Sequence, residues 1–163
     1  MLVKEPGTPK PTPWHQDGPY YFVEGEQTVS FLIPLDPVEE AMELIRGLHN
    51  LRVAHRGCVA TIGNFDGVHL GHQAVIGQLA EKAQDLHLPT TVITFEPQPL
   101  EYFAPEQTPS RLTRLREKLQ ALRRYSVDRV LCLSFNRQLA EMPAADFIRR
   151  VLVDGLGVKY LVV

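Results

Sequence analysis

Apolar residues in the second half of this chain recur with two different periods. Cys58-Val59-Ala60-Thr61-Ile62 is a short apolar run, Thr90 to Phe95 (TTVITF) is β-branched and bounded by proline, residues 129–133 carry the core VLCL, and 158–163 is apolar again. Runs of that length and composition predict buried strands. Between them the apolar positions shift to helical spacing: Val75, Ile76, Leu79, Ala80, Ala83 and Leu86, then Leu112, Leu115, Leu119 and Leu122, then Phe147, Ile148, Val151 and Leu152. Alternation of strand and helix from Cys58 onward predicts an α/β fold, a Rossmann-like open parallel sheet with helices on both faces. Leu88-Pro89 ends the first helix. Ser110 is a candidate cap for a helix over 110–124, although Thr113 stands where a capping box places Glu. Pro143 suits the first turn of the last helix, and Gly155 and Gly157 stop it. The stretch FEPQPLEYFAP, 95–105, is too rich in proline for a helix or a central strand and reads as a loop. No internal repeat is present.

The first quarter of the chain reads differently. Residues 1–13, MLVKEPGTPKPTP, hold four prolines and little to bury, which predicts an extended lead. Residues 28–33 alternate loosely and predict a strand. Composition breaks at 39–41, between a segment over 1–41 and the rest of the chain, 42–163.

Composition narrows the class. With 163 residues, 44% hydrophobic and 22% charged, the chain is long enough to bury a core and has the balance of a globular protein. A net charge of −2 gives no bulk electrostatic case for nucleic acid or a membrane surface. No apolar run approaches the ~20 residues that span a bilayer, and the N-terminus lacks a basic-then-apolar leader. Cys58 and Cys132 fall in predicted buried strands, as core thiols and not a disulfide framework. These features together predict a reducing, cytoplasmic location.

Candidate chemistry concentrates in TIGNFDGVHLGH, Thr61 to His72. It joins the first predicted strand to the first helix, the arrangement of a phosphate-binding βα unit. Gly63 and Gly67 are expected to use backbone angles closed to other residues and to let a ligand approach the main chain. His69 and His72, three apart, share a face if the helix has begun there. Two imidazoles and free helix-start N–H groups at one point suit a polyphosphate whose charge grows during reaction.

This stretch resembles the H-x-G-H signature of the nucleotidylyltransferases. The longer form G-N-F-D-G-V-H-x-G-H resembles one branch, the bacterial bifunctional riboflavin kinase/FAD synthetases. MELIRGLHNL from Met42, the segment around PQPLEYF and the wording R-L-T-x-L-x-E-K are similar to the same family, and the first of these implies that Met42 is an original start and residues 1–41 are appended to a module over 42–163. The resemblance implies FMN adenylyltransferase activity: ATP and FMN give FAD and pyrophosphate, with Mg²⁺ on the phosphates and no covalent enzyme intermediate. It implies that His69 and His72 hold the ATP phosphates and that Gly63, Asn64, Phe65, Asp66, Gly67 and Gly71 shape the nucleotide pocket. It also implies that Pro97, Pro99 and Phe103 line the flavin side. The five arginines and one lysine of 110–124 could reach phosphates, but a solvated helix face is the expected role for most of them. The family's later serine/threonine-rich motif ending in arginine, its glycine–aspartate–phenylalanine segment and its riboflavin kinase barrel do not appear, which implies a transferase module truncated at its C-terminus.

A second resemblance covers residues 6–38, where P-W-H-Q-D is similar to the phytanoyl-CoA dioxygenase family. His15 and Asp17, at i and i+2, would be half of a 2-His-1-carboxylate iron site. A distal histidine in that family's pattern is lacking. Three readings remain: a flavin adenylyltransferase module, another small-substrate nucleotidylyltransferase such as a pantetheine-phosphate or nicotinamide-mononucleotide enzyme, and an iron dioxygenase or non-enzymatic binding fragment. The PQPLEYF loop favours the first.

Overall fold

A computed structural model of the chain describes residues 42–163, all within the unit Glu40–Val163. The strand expected at 28–33, and His15 and Asp17, lie outside the described residues.

Five parallel strands form one sheet in the order β1-β4-β3-β2-β5: β1 Glu43–Arg46, β2 Cys58–Ile62, β3 Thr90–Glu96, β4 Arg129–Ser134 and β5 Val158–Val162. The four strands expected from Cys58 onward appear within one residue of their expected bounds. β1 was not expected. It pairs with β4 from Glu43↔Arg129 to Arg46↔Cys132 and buries only Ile45, so four residues of edge strand leave little period to read. β2, β3 and β4 are buried almost throughout, which is why they read as continuous apolar runs and not as alternation.

Alternation nonetheless sorts their side chains to two faces. Val59, Val92 and Val130 pack with Ile76, Leu79, Ala83 and Leu122, from helices α1 (Leu70–Leu86) and α3 (Leu115–Arg124). Cys58, Ala60, Ile93, Leu131 and Leu133 pack with Val151, Leu152 and Leu156 on the opposite face. The sheet is therefore covered on both sides, as the strand–helix alternation predicted. Both cysteines are free and buried.

Helix ends follow local hydrogen bonding. α1 closes with His87 in the left-handed region (φ 51), its N–H donating to Gln84 C=O at 3.2 Å, while Leu88 N–H donates to Ala83 C=O at 3.0 Å. α3 starts at Leu115 and not at Ser110. Glu117 accepts the Arg114 N–H at 2.7 Å, so the capping carboxylate serves a cap four residues beyond the serine. The last expected helix is broken into α4 (Arg137–Ala140), α5 (Ala144–Phe147) and a π-helical turn Ile148–Val153, whose wide bonds run from Asp154 N–H to Arg149 C=O and from Leu156 N–H to Val151 C=O. A Cβ at Gly155 would lie 2.8 Å from the carbonyls of Arg150 and Val151, which is what glycine avoids there.

The loop expected over 95–105 is corrected in part: Pro99–Phe103 is a short helix, α2. Its prolines do not forbid it, because Pro99 occupies the first helical position, where its missing N–H is no loss, and Glu101 accepts the Gln98 N–H at 2.8 Å.

The chain steps from β2 to β3 to β4 in one direction, then crosses back so that β5 lies on the other side of β2. Strand order reverses between β2 and β5. In open α/β sheets the crevice beyond the carboxyl ends of the strands at such a switch point is where ligands bind. The residues that leave the carboxyl end of β2 are Gly63 to His69.

Candidate active site

The turn after β2 is built from backbone angles that few residues adopt. Phe65 has φ 49, Gly67 φ 70 and Val68 φ 38. A β-branched residue at positive φ is rare and persists only where its surroundings hold it. Both Phe65 and Val68 are anchored by burial in the core. Gly63, expected to need a left-handed angle, does not have one. Its constraint is space, because a Cβ would meet the Phe65 ring at 3.0 Å.

His69 is not on the helix. It is the N-cap of α1, with extended backbone (φ −68, ψ 174), and its ring still reaches His72 two positions into the first turn. The two imidazoles stack with centroids 3.8 Å apart and 23° between planes. A Cβ on Gly71 would come within 3.2 Å of the His69 ring, so glycine at this position leaves that ring its room. Phe65 lies against the inner face of the pair, 4.9 Å from His72. His72 Nδ1 is buried with no hydrogen-bond partner. Burial lowers the pKa of His72, the neighbouring His69 and Lys118 lower it further, and Asp66 opposes them. His72 is thereby kept neutral near neutral pH.

The hydrogen bonds of Asp66 go to residues 112 and 113. One carboxylate oxygen accepts the Leu112 N–H (2.9 Å), and the other accepts the N–H (2.8 Å) and hydroxyl (2.9 Å) of Thr113. Gly67 N–H donates to the Thr113 hydroxyl at 3.0 Å. Burial works against the Asp66 charge, but these bonds, with Lys118 behind them, bring its pKa below the usual value. Asp66 thus shapes the pocket by strapping residues 112–113 to the turn.

The neighbouring wall is aromatic. At the carboxyl ends of β3 and β4, Phe95, Tyr102 and Phe103 all meet Phe135 edge-on, at centroid distances of 5.7, 5.5 and 5.5 Å. Phe103 is 65% exposed and offers its ring to solvent. Pro97 is exposed, and Pro99 starts α2 beneath this shelf. Arg111 holds the shelf in place: its guanidinium grips the Glu101 carboxylate with two N–H groups and pairs with Glu96 Oε1 at 2.7 Å. The Arg111 contact pulls the Glu101 pKa down, and both carboxylates push that of Arg111 up.

Three residues of this site had no expected role. Phe135 follows β4, and an aromatic residue directly after a predicted strand was the signal for it. Arg111 and Lys118 were grouped with the solvated charges of 110–124. Arg114, Arg116, Arg123 and Arg124 are exposed as expected, but Arg111 is half-buried and Lys118 is buried. The apolar positions beside Lys118 carry no mark of what it faces.

Comparison with known proteins places the chain in a family. The model of the FAD synthetase family matches residues 51–163. The model of the phytanoyl-CoA dioxygenase family matches residues 1–65. Bifunctional riboflavin kinase/FMN adenylyltransferase of Pseudomonas fluorescens is 58% identical over 120 residues, covering 74% of this chain and 38% of the relative. The protein of the same description from Escherichia coli K12 is 54% identical over 123 residues, covering 75% and 39%. The chain therefore spans about two fifths of the length of these relatives. A crystal structure described as a macrolide-efflux protein from Streptococcus pneumoniae superposes with a TM-score of 0.64 at 24% identity, covering 74% of this chain and 47% of that one, a likeness of fold alone.

Proposed function

The chain belongs to the FAD synthetase family, and on that premise we propose that residues 42–163 carry FMN adenylyltransferase chemistry. An oxygen of the FMN phosphate attacks the α-phosphorus of ATP, the bond from that phosphorus to its β-bridging oxygen breaks, and pyrophosphate leaves. The observation that carries this reading is the stacked His69–His72 pair at the switch point of the sheet, one wall away from an exposed aromatic shelf. The imidazoles and the first N–H groups of α1 hold the triphosphate. Gly63, Asn64, Phe65, Asp66, Gly67 and Gly71 give the turn its shape. Pro97, Pro99 and Phe103 line the flavin side, with Phe135 behind them. The protein's contribution is position and charge compensation, because phosphoryl-type transfer needs little covalent help. Among the described residues no group of three or more His, Cys, Asp or Glu is disposed to hold a metal ion, so Mg²⁺ would travel on the triphosphate oxygens.

Two further readings accompany this one. Residues 1–41 are read as a segment joined to the module near Met42; the phytanoyl-CoA dioxygenase match covers them and runs on to residue 65. No helix among the described residues is long and apolar enough to cross a membrane. With two free buried thiols, this favours the reducing cytoplasm as the site of action.

The test is FAD formation from ATP, FMN and Mg²⁺, resolved by chromatography, in the wild type and in His69→Ala and His72→Ala. Each substitution should slow transfer by about 10²–10³-fold, the scale of a lost transition-state donor. Equal rates in all three would remove the imidazoles from the mechanism.

A further inference from the structure

Beneath the turn lies a buried cation that the site chemistry above does not use. Lys118 is 1% exposed and points inward from α3, one turn before Leu122. Its Nζ donates to Thr94 Oγ1 at 3.5 Å, and that hydroxyl donates in turn to the Asn64 carbonyl at 3.3 Å. The ammonium is thus linked through one side chain to the backbone of the turn. The carboxylates whose charge acts on it are Asp66 of the turn and Glu96 at the end of β3, without a direct ion pair to either. Asp66 straps residues 112–113, and Glu96 receives Arg111. Lys118 therefore stands between the acidic anchors of the nucleotide turn and of the aromatic shelf.

Lysine is almost never buried this fully without compensation, and here the direct partner is the Thr94 hydroxyl, with the carboxylates acting from farther off. Burial lowers its pKa, the Glu96 and Asp66 carboxylates raise it, and Arg111 opposes them. Glu96 Oε2 is buried without a hydrogen-bond partner, so the carboxylate depends on nearby positive charge for compensation. A neutral residue at 118 would leave Asp66 and Glu96 less well compensated and would free the Thr94 hydroxyl from the side chain that orients it.

We propose that Lys118 is a positioning residue for adenylyl transfer: its buried ammonium orients the Asn64 carbonyl through Thr94 and balances Asp66 against Glu96, so that the turn carrying His69 and His72 is held in register with the aromatic shelf. This rests on the function proposed above. It also gives His72 a charged neighbour. The groups that face His72 are His69, Asp66 and Lys118, and of these Lys118 and His69 work against its protonation.

The experiment uses the full chain and Lys118→Met, which keeps the length of the stem and removes the charge. The kcat/KM for ATP should fall by about 100-fold, the scale of a ~1 Å misplacement of a reacting group. The loss should fall on kcat, with KM for FMN unchanged. The titration of the His72 ring, followed by NMR of its carbon-bound protons, should move to higher pH. In the wild type, ¹⁵N NMR of the Lys118 side chain should show a slowly exchanging ammonium at pH 7. An unchanged kcat/KM, an unmoved His72 titration, or a neutral amine at position 118 would each overturn the proposal. The last measurement decides the matter if the variant does not fold. A wild-type chain that binds no ATP and forms no FAD overturns the functional reading instead, and the NMR titrations, which need no turnover, tell the two failures apart.

Discussion

The nucleotide turn and the aromatic shelf lie side by side at the carboxyl ends of β2, β3 and β4, yet they are held by different physics. The turn, Gly63 to His72, is contiguous in sequence and shaped from within. Left-handed angles at Phe65, Gly67 and Val68 fold it, and burial of Phe65 and Val68 anchors it. The shelf is assembled from three separate segments: the end of β3 with α2, Arg111, and Phe135 after β4. The ion pairs of Arg111 and the edge-on contacts of Phe135 keep it together. The difference matters because the turn takes its shape from local angles and only its placement from elsewhere, whereas the wall depends on distant residues for its assembly. Residues 111–113 connect the two, with Arg111 on the shelf and Leu112 and Thr113 on Asp66.

The largest effect should come from breaking that connection. Asp66→Ala leaves two backbone N–H groups and the Thr113 hydroxyl without their acceptor. Hydrogen bonds to a charged group contribute ~1.5–3 kcal/mol each, and loss of this set should lower stability by about 2–3 kcal/mol, read as a shift in the urea midpoint. Adenylyl transfer should fall with it, since both walls lose their common strap. A variant as stable as the wild type would mean that the strap is ornamental.

Arg111→Lys sharpens the contrast from the shelf side. Lysine keeps the charge but cannot present the planar fork that grips Glu101, and the planar geometry is what the site uses. The expected cost is about 1 kcal/mol in stability. KM for FMN should rise while ATP binding measured calorimetrically stays the same. If ATP binding weakened as much as flavin binding, the two regions would not be separable.

Phe103→Ala should act on one substrate alone. An aromatic contact is worth ~0.5–1.5 kcal/mol beyond its area, so flavin affinity should drop by up to about tenfold with ATP affinity intact. Because Phe103 is largely exposed, thermal stability should hardly move. A collapse of folding in this variant would show that the ring belongs to the core and not to a binding wall.

The smallest effects are in pH, and they separate the regions by window. The folded pKa of His72 is depressed, so as pH falls below the unfolded value of ~6.5 the unfolded chain takes up its proton first and stability declines. The folded pKa of Glu101 is also depressed. Its contribution is complete above the unfolded value of ~4.3 and is lost as pH falls through the folded value. Asp66 behaves likewise from ~3.9 downward. Urea midpoints from pH 7 to 3 should therefore show a first decline removed by His72→Gln and a later one reduced by Glu101→Gln. A single decline insensitive to both substitutions would contradict the assignment.

Much of this was legible without coordinates, and the division has a physical cause. The buried strands at 58, 90, 129 and 158, the helices over them, and the ten-residue turn with its two histidines are properties of neighbouring residues. Apolar period, proline and glycine placement, and contiguous spacing report such properties directly. β1 was missed because four edge residues bury one side chain and show no period. α2 was missed because proline counts against a helix by composition but favours its first position by geometry. The pairing of Asp66 with Leu112 and Thr113, Arg111 between Glu96 and Glu101, and Lys118 beneath Asn64 span from 10 to 54 residues of chain (64 to 118 being the longest). Lys118 stands three after Leu115 and four before Leu122, so helical spacing puts it on the apolar stripe, but no local window shows which groups it meets there. Only when α3 docks on the sheet does this cation lose its water, and a charge buried there must be answered by whichever carboxylates the fold has brought within reach.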